Sequence, residues 1–506
     1  MGQPPRPGLC FFGCFSWVDP CYFRTLGVRG EIALTPRRAA LVAIGFLAYF
    51  CLSIGAVAQF ETRSATYTST EPFSTAVGDF NGDGKLDLAV SAFVPTNSIT
   101  ILLGNGDGTF HRGASYSFGA QFSYVIAADF RHSGTLDLVV GDTLSGNVYV
   151  LRGNGDGTFQ QATAYPTAGP VYIVATGDFT GDGKLDIVGL TESAQCECIS
   201  VLPGNGDGTF GSPITTPIPY NIGGFGLAVG HFNADSNLDI AVSGYFGSAN
   251  QVDILLGNGD GTFRAFGYYA VSPSPLSVVR ADFNGDGRAD LAVGSLFGGI
   301  SVLLGNGDGT FRDAVKYSAS APTWVAAADL DGDGKIDLAA SALESPSGVT
   351  VLKGNGDGTF QPGVLYPTIG GTNFVALGDF NGDSRTDMVI AATFGDTVIT
   401  LLNTGTVSFS PTSPLFFKKQ MHGTTSKPQT VKLTNTGTGE LKISSMKTVG
   451  QFGMTSTCGP SVVAGGTCTI SVTFSPTSTG AKSGIVTIND SASSKPMVIE
   501  LSGTGT

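Results

Sequence analysis

Short apolar runs, separated by turns rich in glycine, asparagine and aspartate, fill most of the chain from about residue 60 onward. Leu86 to Ala92 and Ile99 to Leu103 are typical runs, and each has the length of one β-strand rather than of a helix. The same succession of runs and turns recurs about every 50 residues, and each repeat has room for four strands. The pattern therefore predicts an all-β protein in which every repeat forms a four-stranded sheet.

Seven such repeats between residues 61 and 405 predict a seven-bladed β-propeller, because a radial arrangement leaves each sheet only short, protected edges. An open solenoid with capping end repeats is the alternative, and four strands per repeat favour the propeller. An aromatic segment around Tyr67 precedes the first repeat, whereas the seventh repeat stops after its third strand. If that segment is the outer strand of a sheet, residues 62–70 pair with the seventh sheet and close the ring.

The pattern changes near Phe409, where the aspartate-rich loops end and serine and threonine become frequent. Apolar residues now alternate strictly with polar ones, as at Ile470, Val472 and Phe474. Alternating strands joined by Gly, Asn and Pro turns over about 100 residues are typical of a β-sandwich. We therefore expect a small immunoglobulin-like sandwich over residues 409–506.

Each propeller repeat carries a loop related to Asp-x-Asn-x-Asp-Gly-x-x-Asp, and its clearest copy runs from Asp79 to Asp87. Side chains at positions 1, 3 and 5 point toward one centre, and glycine at position 6 permits a sharp turn. Carboxylates this close repel one another unless a cation lies between them, and hard oxygen ligands are typical of Ca²⁺ sites. A solvated turn without an ion is the alternative for any single loop, and the regular repetition argues against it.

Five of the seven loops retain enough oxygen ligands to predict about four or five Ca²⁺ sites. The first, fifth and sixth loops are complete, the third has a hydroxyl at position 3, and the seventh has Ser384 in place of glycine. The candidate metal-site residues are Asp79, Asn81, Asp83, Lys85, Asp87, Asp178, Thr180, Asp182, Asp186, Asp282, Asn284, Asp286, Asp290, Asp329, Asp331, Asp333, Asp337, Asp379, Asn381, Asp383 and Asp387.

The second and fourth loops depart from the pattern. In the second loop a guanidinium, that of Arg131, can take the place of the cation and pair with Asp129 and Asp137. The fourth loop begins with His231 and has Ser236 at position 6, so one carboxylate and the glycine are missing. We expect no metal in the second loop, and none or a weakly bound one in the fourth.

A second motif, Gly-Asn-Gly-Asp-Gly-Thr-Phe, closes six of the repeats and is first seen at residues 104–110. Asn-Gly and Asp-Gly pairs supply the positive φ angles that a tight β-hairpin turn requires. The motif therefore predicts a hairpin turn, and a second Ca²⁺ site is the alternative.

Together, Gly-Asp-Phe-Asn-Gly-Asp-Gly-Lys-Leu-Asp and Gly-Asn-Gly-Asp-Gly-Thr-Phe resemble the FG-GAP (VCBS-type) repeats that also form the head of integrin α subunits. The resemblance covers residues 61–405 and implies a seven-bladed propeller with Ca²⁺ in loops on one face. It also implies a role in adhesion, in carbohydrate recognition or, less often, in polysaccharide cleavage. The C-terminal region is similar to choice-of-anchor, Hydin-like immunoglobulin modules, which implies a disulfide between Cys458 and Cys468.

The sequence of the N-terminal region predicts that the protein is exported. An unbroken apolar stretch from Ala39 to Ala58 follows two arginines and ends in Ala-Val-Ala, so residues 1–58 predict a signal peptide cleaved after Ala58. An uncleaved membrane anchor is the alternative, since 20 apolar residues can span a bilayer. The close pairs Cys196/Cys198 and Cys458/Cys468 suit disulfides in an oxidising compartment. We expect a secreted, periplasmic or cell-surface location, and the architecture is typical of bacterial proteins.

The net charge and the placement of the histidines limit the classes of function that the sequence supports. A net charge of −13 argues against nucleic acid and anionic membranes as partners, and membrane association is expected only if the N-terminal segment stays uncleaved. The four histidines are scattered and form no pair at ligand or triad spacing. The sequence therefore favours a non-enzymatic recognition or adhesion protein with an extracellular protein or carbohydrate ligand. A lectin-like binder, a polysaccharide hydrolase or lyase, and a structural spacer are the alternatives.

Variable connections between the second and third strands of the repeats are the predicted binding surface. The longest are Phe93–Ser98, Glu192–Ile199, Tyr245–Gln251 and Ala342–Gly348. They carry Phe93, Tyr245 and Phe246, aromatic side chains of the kind that stack on sugars or anchor protein partners. Packing of these aromatics on neighbouring sheets is the alternative.

Overall fold

A computed structural model describes residues 60–67, 71–92, 97–118, 121–192, 197–218, 224–244, 250–343, 345–383, 385–403, 407–410, 415–435, 440–463, 465–490 and 496–506. The expected signal segment, Cys196, Ser384 and most of the expected binding connections lie outside these ranges. Pairing of Cys196 with Cys198 therefore stays a prediction. None of the helices in the described part of the chain has the length and hydrophobicity needed to cross a membrane.

The described part of the N-terminal region forms seven antiparallel four-stranded sheets, one for each sequence repeat. Its strands are β1 (Phe60–Tyr67), β2 (Pro72–Gly78), β3 (Asp87–Ala92), β4 (Ser98–Gly104), β5 (Phe110–Tyr116), β6 (Phe122–Ala128), β7 (Asp137–Asp142), β8 (Asn147–Leu151), β9 (Thr163–Pro166), β10 (Val171–Gly177), β11 (Asp186–Glu192), β12 (Glu197–Leu202), β13 (Ile214–Pro217), β14 (Gly224–Gly230), β15 (Asp239–Gly244), β16 (Gln251–Gly257), β17 (Phe263–Ala270), β18 (Pro275–Ala281), β19 (Asp290–Ser295), β20 (Gly299–Leu303), β21 (Val315–Tyr317), β22 (Pro322–Ala328), β23 (Asp337–Ala342), β24 (Gly348–Leu352), β25 (Val364–Pro367), β26 (Thr372–Gly378), β27 (Asp387–Ala392) and β28 (Thr397–Asn403). A short 3-10 turn, Thr393–Gly395, joins the last two of these strands.

The sheets are arranged in a ring. The first strand of each sheet contacts the first strands of the two neighbouring sheets, in the circular order β2, β6, β10, β14, β18, β22, β26 and back to β2. The second strands, such as β3 and β7, are buried along their whole length, because each is covered on both faces by adjacent sheets. Apolar clusters between successive sheets form the core, as expected for a β-propeller.

The ring is closed by the N-terminal strand. β1 pairs in antiparallel fashion with β28, with Phe60 opposite Asn403 and Tyr67 opposite Thr397. β1 thus supplies the fourth strand of a sheet whose other strands are β26, β27 and β28. The expected pairing of the Tyr67 segment with the seventh sheet is therefore present in the structure.

The C-terminal region forms two facing sheets that enclose their own core, as the alternating pattern predicts. Burial alternates along β35, where Ile470, Val472 and Phe474 are fully buried. A disulfide joins Cys458 and Cys468 across a separation of 10 residues. The strands are β29 (Val407–Ser410), β30 (Leu415–Phe416), β31 (Gln429–Asn435), β32 (Leu441–Val449), β33 (Phe452–Ser456), β34 (Ser461–Val462), β35 (Thr467–Phe474), β36 (Gly480–Asp490) and β37 (Met497–Gly505).

Candidate functional site: the aspartate loops and the two faces of the propeller

All seven aspartate loops lie on one face of the ring, because each connects the first strand of a sheet to the second. In the first loop, the Asp79 carboxylate accepts hydrogen bonds from the backbone N–H groups of Gly82 (2.7 Å) and Gly84 (2.8 Å). Asn81 Oδ1 accepts from the Asp83 N–H, so the loop curls around its own oxygen atoms. The fifth loop repeats these contacts through Asp282. The first and fifth loops fold this way because two glycines in each of them adopt positive φ.

The sixth loop shows how closely the oxygen ligands approach. One carboxylate oxygen from each of Asp329, Asp331 and Asp333 lies within 4.8 Å of the other two. Two ammonium groups are drawn to this cluster: Lys335 Nζ lies 3.0 Å from Asp333 Oδ2, and Lys353 Nζ lies 2.9 Å from Asp331 Oδ2. Three hard oxygen donors are ligands of the kind that Ca²⁺ takes, and they would supply part of the roughly six to eight oxygens that it binds.

In the first, third, fifth and sixth loops, position 7 holds a basic side chain that pairs with the carboxylate at position 5. The distances from nitrogen to oxygen are 3.4 Å for Lys85 with Asp83 and 2.9 Å for Lys184 with Asp182. The backbone N–H of Lys85 also donates to Asp83 Oδ1, and this hydrogen bond is the main reason that the pKa of Asp83 lies below its ordinary value. Because an ammonium group cannot ligate Ca²⁺, Lys85 can contribute to a metal site only through its main-chain carbonyl.

At position 3 the second loop has the guanidinium of Arg131, whereas the other loops have a side chain with an oxygen atom there. Arg131 Nη2 lies 2.7 Å from Asp137 Oδ1, and Arg131 Nε lies 3.3 Å from Asp137 Oδ2. Arg131 thus pairs with one of the two expected carboxylates. Asp129 instead accepts backbone N–H groups, including that of Gly134 at 2.7 Å. In the fourth loop, His231 Nδ1 lies 2.8 Å from the Asn237 carbonyl oxygen.

The ninth position has a structural role that the sequence did not reveal. Asp87 is fully buried, and its two carboxylate oxygens accept the N–H groups of Phe80 (2.9 Å) and Gly104 (2.7 Å). Gly104 begins the Gly-Asn-Gly-Asp-Gly-Thr-Phe turn, so Asp87 ties the loop to that turn. The equivalent residues of the other loops, all buried, are Asp137, Asp186, Asp239, Asp290, Asp337 and Asp387.

The buried aspartate at position 9 makes the same backbone hydrogen bonds in the first loop, which has all the candidate metal ligands, and in the fourth loop, which does not. In the fourth loop, Asp239 accepts the N–H groups of Phe232 and Gly257, as Asp87 does in the first. Burial raises the pKa of these carboxyls, to about 6 for Asp337 and about 7 for Asp387. The ninth aspartate therefore stabilises the fold of every repeat, whereas its ligation of Ca²⁺ stays a prediction.

The Gly-Asn-Gly-Asp-Gly-Thr-Phe turns join neighbouring sheets. In the first turn Asp107 accepts the N–H of Thr109 (3.0 Å), which closes the hairpin that the sequence predicts. In the second turn the Gly157 N–H donates to the Phe80 carbonyl of the preceding sheet (2.9 Å). The rings of Phe80 and Phe159 pack edge to face with centroids 5.5 Å apart. Each turn is thus a contact between repeats, which accounts for its regular recurrence.

The opposite face of the ring carries exposed apolar side chains. It is formed by the connections from second to third strands and from fourth to first strands. Leu144 (69% exposed), Phe297 (56%) and Phe394 (65%) lie in the first kind of connection, and Ile369 (73%) lies in the second. The aromatic residues expected there, Phe93, Tyr245 and Phe246, lie outside the described ranges. The aspartate loops and these apolar side chains therefore occupy opposite faces.

Comparisons with known proteins agree with this architecture. A model of the FG-GAP-like repeat matches residues 79–140, 129–189, 178–242, 231–293, 282–340 and 329–390, which together make up more than half of the chain. The chain therefore belongs to the FG-GAP-like repeat family. The family described as abnormal spindle-like microcephaly-associated, ASPM-SPD-2-Hydin matches residues 406–498.

Two solved structures are similar to parts of the chain. A crystal structure of BBS1N in complex with ARL6DN, soaked with lead, is 12% identical with a TM-score of 0.49, over 68% of this chain and 96% of that chain. The ASH/PapD-like domain 7 of human CEP192 is 17% identical with a TM-score of 0.16, over 20% of this chain and 84% of that chain. No curated protein matches the chain.

Proposed function

We propose that this chain is an exported, calcium-binding recognition or adhesion protein that binds its partner through the face of the propeller opposite the aspartate loops. Exposed apolar side chains on that face carry the proposal, because Leu144, Phe297 and Phe394 stand on separate sheets and all point away from the core. Exposed apolar surface is costly for a soluble protein and is typical of interaction sites. Membership of the FG-GAP-like repeat family supports a recognition role.

Calcium has a structural part in this proposal. The complete loops present clustered carboxylates that repel one another, and a bound Ca²⁺ would relieve the repulsion and stiffen one end of each sheet. The aspartate loops and the exposed apolar side chains lie at opposite ends of the same strands. A metal ion that orders the loops would therefore also favour a fixed arrangement of the apolar side chains. The disulfide between Cys458 and Cys468 supports export, since such bonds persist in oxidising compartments.

A carbohydrate ligand is the second candidate. Phe297 and Phe394 are exposed aromatic rings on this face, and aromatic rings stack on the apolar faces of sugars. An extracellular protein is favoured over a sugar because Leu144 and Ile369, which are equally exposed, offer aliphatic rather than aromatic surface.

The test compares two triple variants on arrays of cell-surface proteins and glycans, with Ca²⁺ and with EDTA. Leu144→Ser, Phe297→Ser and Phe394→Ser together should abolish saturable binding. The control triple variant, Val315→Ser, Val364→Ser and Tyr268→Ser, removes equally exposed apolar groups from outer strands and should bind normally. Binding that survives the first variant, or is lost only in the control, would place the partner elsewhere. Saturable binding on the glycan array alone would select the lectin-like function.

A further inference from the structure

A cavity of about 450 Å³ lies where the first strands of five sheets meet. Its wall is formed by β14, β18, β22 and β26 together with Thr75 of β2. Ala228, Ala326 and Ala376 lie on this wall, so small apolar side chains keep the space open. A volume of this size accommodates a small molecule.

One end of the cavity is aromatic. Trp324 and Phe374 line it, and their ring centroids are 4.5 Å apart at an interplanar angle of 34°. Tyr124 packs behind Trp324 at 4.9 Å, and Phe73 packs on Tyr124 at 5.3 Å. Four aromatic rings from four different sheets thus form one platform, which offers a broad apolar contact to a ligand.

The other end carries a cation. Trp324 and Phe374 are the third residues of their strands, whereas Arg280 is the sixth residue of β18, nearest to the aspartate loops. The stem of Arg280 crosses Gly230 of the neighbouring sheet, where an added Cβ would lie 2.6 Å from Arg280 Cδ. No ion pair found among the described residues involves Arg280, although its side chain lines the cavity.

We infer that this cavity binds an apolar molecule with a carboxylate, whose apolar part lies on the Trp324 platform and whose carboxylate pairs with Arg280. Guanidinium groups bind carboxylates through paired, charge-assisted hydrogen bonds. The wall is mostly apolar, and the one charged residue among those that line it, Arg280, lies exposed at its end, so the site favours an anion with a long apolar body over a sugar or a cation. This site is separate from the exposed face of the proposed function, and either can fail without the other.

Decanoate and decanol are suitable probes, because they share an apolar chain and differ in charge. The chain contains two tryptophans, Trp17 and Trp324, so the difference between the native protein and Trp324→Phe reports on the cavity alone. We expect decanoate to change the Trp324 fluorescence saturably, with a Kd below about 1 mM. Arg280→Met should weaken decanoate binding about tenfold and change decanol binding by less than about twofold.

Arg312→Met is the matched control, because Arg312 is exposed like Arg280 but lies outside the cavity. It removes the same charge and should leave decanoate binding unchanged. Calorimetric titration of all variants provides a readout that does not depend on tryptophan, and circular dichroism verifies that each variant is folded. Absence of saturable decanoate binding to the native chain would overturn the site. Equal weakening of decanoate by Arg280→Met and Arg312→Met, or binding with no change in Trp324 fluorescence, would also overturn it.

Discussion

Asp253 is a buried carboxyl whose replacement by asparagine should stabilise the protein at high pH and not at low pH. It lies in the middle of β16 with 2% of its surface exposed. Its Oδ1 accepts a hydrogen bond from Gln251 Nε2 (2.7 Å), and its Oδ2 is buried without a hydrogen-bond partner. Burial raises the pKa of Asp253 to about 7, and the nearby charge of Glu197 adds to the rise.

The sign of the effect follows from proton binding. Because the pKa of Asp253 is about 7 in the folded state and about 3.9 in an unfolded chain, only the folded state keeps the proton between these values. Stability from the protonated carboxyl is complete below about pH 4 and is lost as the pH rises through about 7. A difference of about three pKa units corresponds to about 4 kcal/mol in the free energy of unfolding at pH 8.

Asparagine imitates the protonated carboxyl, since it keeps the acceptor for Gln251 and replaces Oδ2 by a donor. The assay is thermal unfolding at pH 4 and pH 8 in one fixed CaCl₂ concentration, so that metal effects are shared by both proteins. Asp253→Asn should melt at about the native temperature at pH 4 and at least about 5 °C higher at pH 8. The exposed Asp313→Asn is the control and should show no such gap. An Asp253→Asn variant with the same offset at both pH values would refute the reasoning.

Three further predictions concern stability in EDTA, measured by thermal unfolding. Arg131→Met leaves the buried Asp137 carboxylate without its cation and should lower the free energy of unfolding by about 2–3 kcal/mol. The loss is smaller than for a fully buried ion pair, because Arg131 is partly exposed. An unchanged melting temperature would contradict this prediction. Paired Cys458→Ser and Cys468→Ser substitutions should destabilise the sandwich by about 2–4 kcal/mol, and reducing agent should lower the melting temperature of the sandwich in the native chain but not in the variant. Deletion of residues 60–67 removes the outer partner of β28 and should lower the melting temperature of the propeller by several degrees, whereas an intact transition would show that β1 does not close the ring.

Much of the fold was predictable because repetition makes weak local patterns strong. A single apolar run such as Leu86 to Ala92 does not distinguish one β-fold from another, but seven equal repeats with the same two motifs do. The closing role of β1 was also predictable, because the seventh repeat lacks a fourth strand and the Tyr67 segment has no other partner. The alternation of apolar with polar residues, as around Ile470 and Val472, identified the sandwich.

The site was less predictable, because a carboxylate at a given spacing does not reveal its partner. Asp87 looks like a metal ligand in the sequence, yet in the structure it ties two loops together through backbone N–H groups. The persistence of Asp137 and Asp239 in loops that have lost other ligands was the available indication. The Trp324 platform was beyond sequence reasoning, since its rings come from distant repeats that only the closed ring brings together.

The calcium requirement of the propeller is tested most directly by counting bound metal. The chain would be equilibrated with 2 mM Ca²⁺, about the top of the range at which extracellular calcium modules bind, and then measured by native mass spectrometry and thermal unfolding with and without EDTA. We predict four or five Ca²⁺ per chain and a large fall in melting temperature in EDTA, since each site filled at tenfold over its Kd adds about 1.4 kcal/mol. No bound Ca²⁺ and no change in melting temperature would contradict the account and leave the aspartate loops as plain turns.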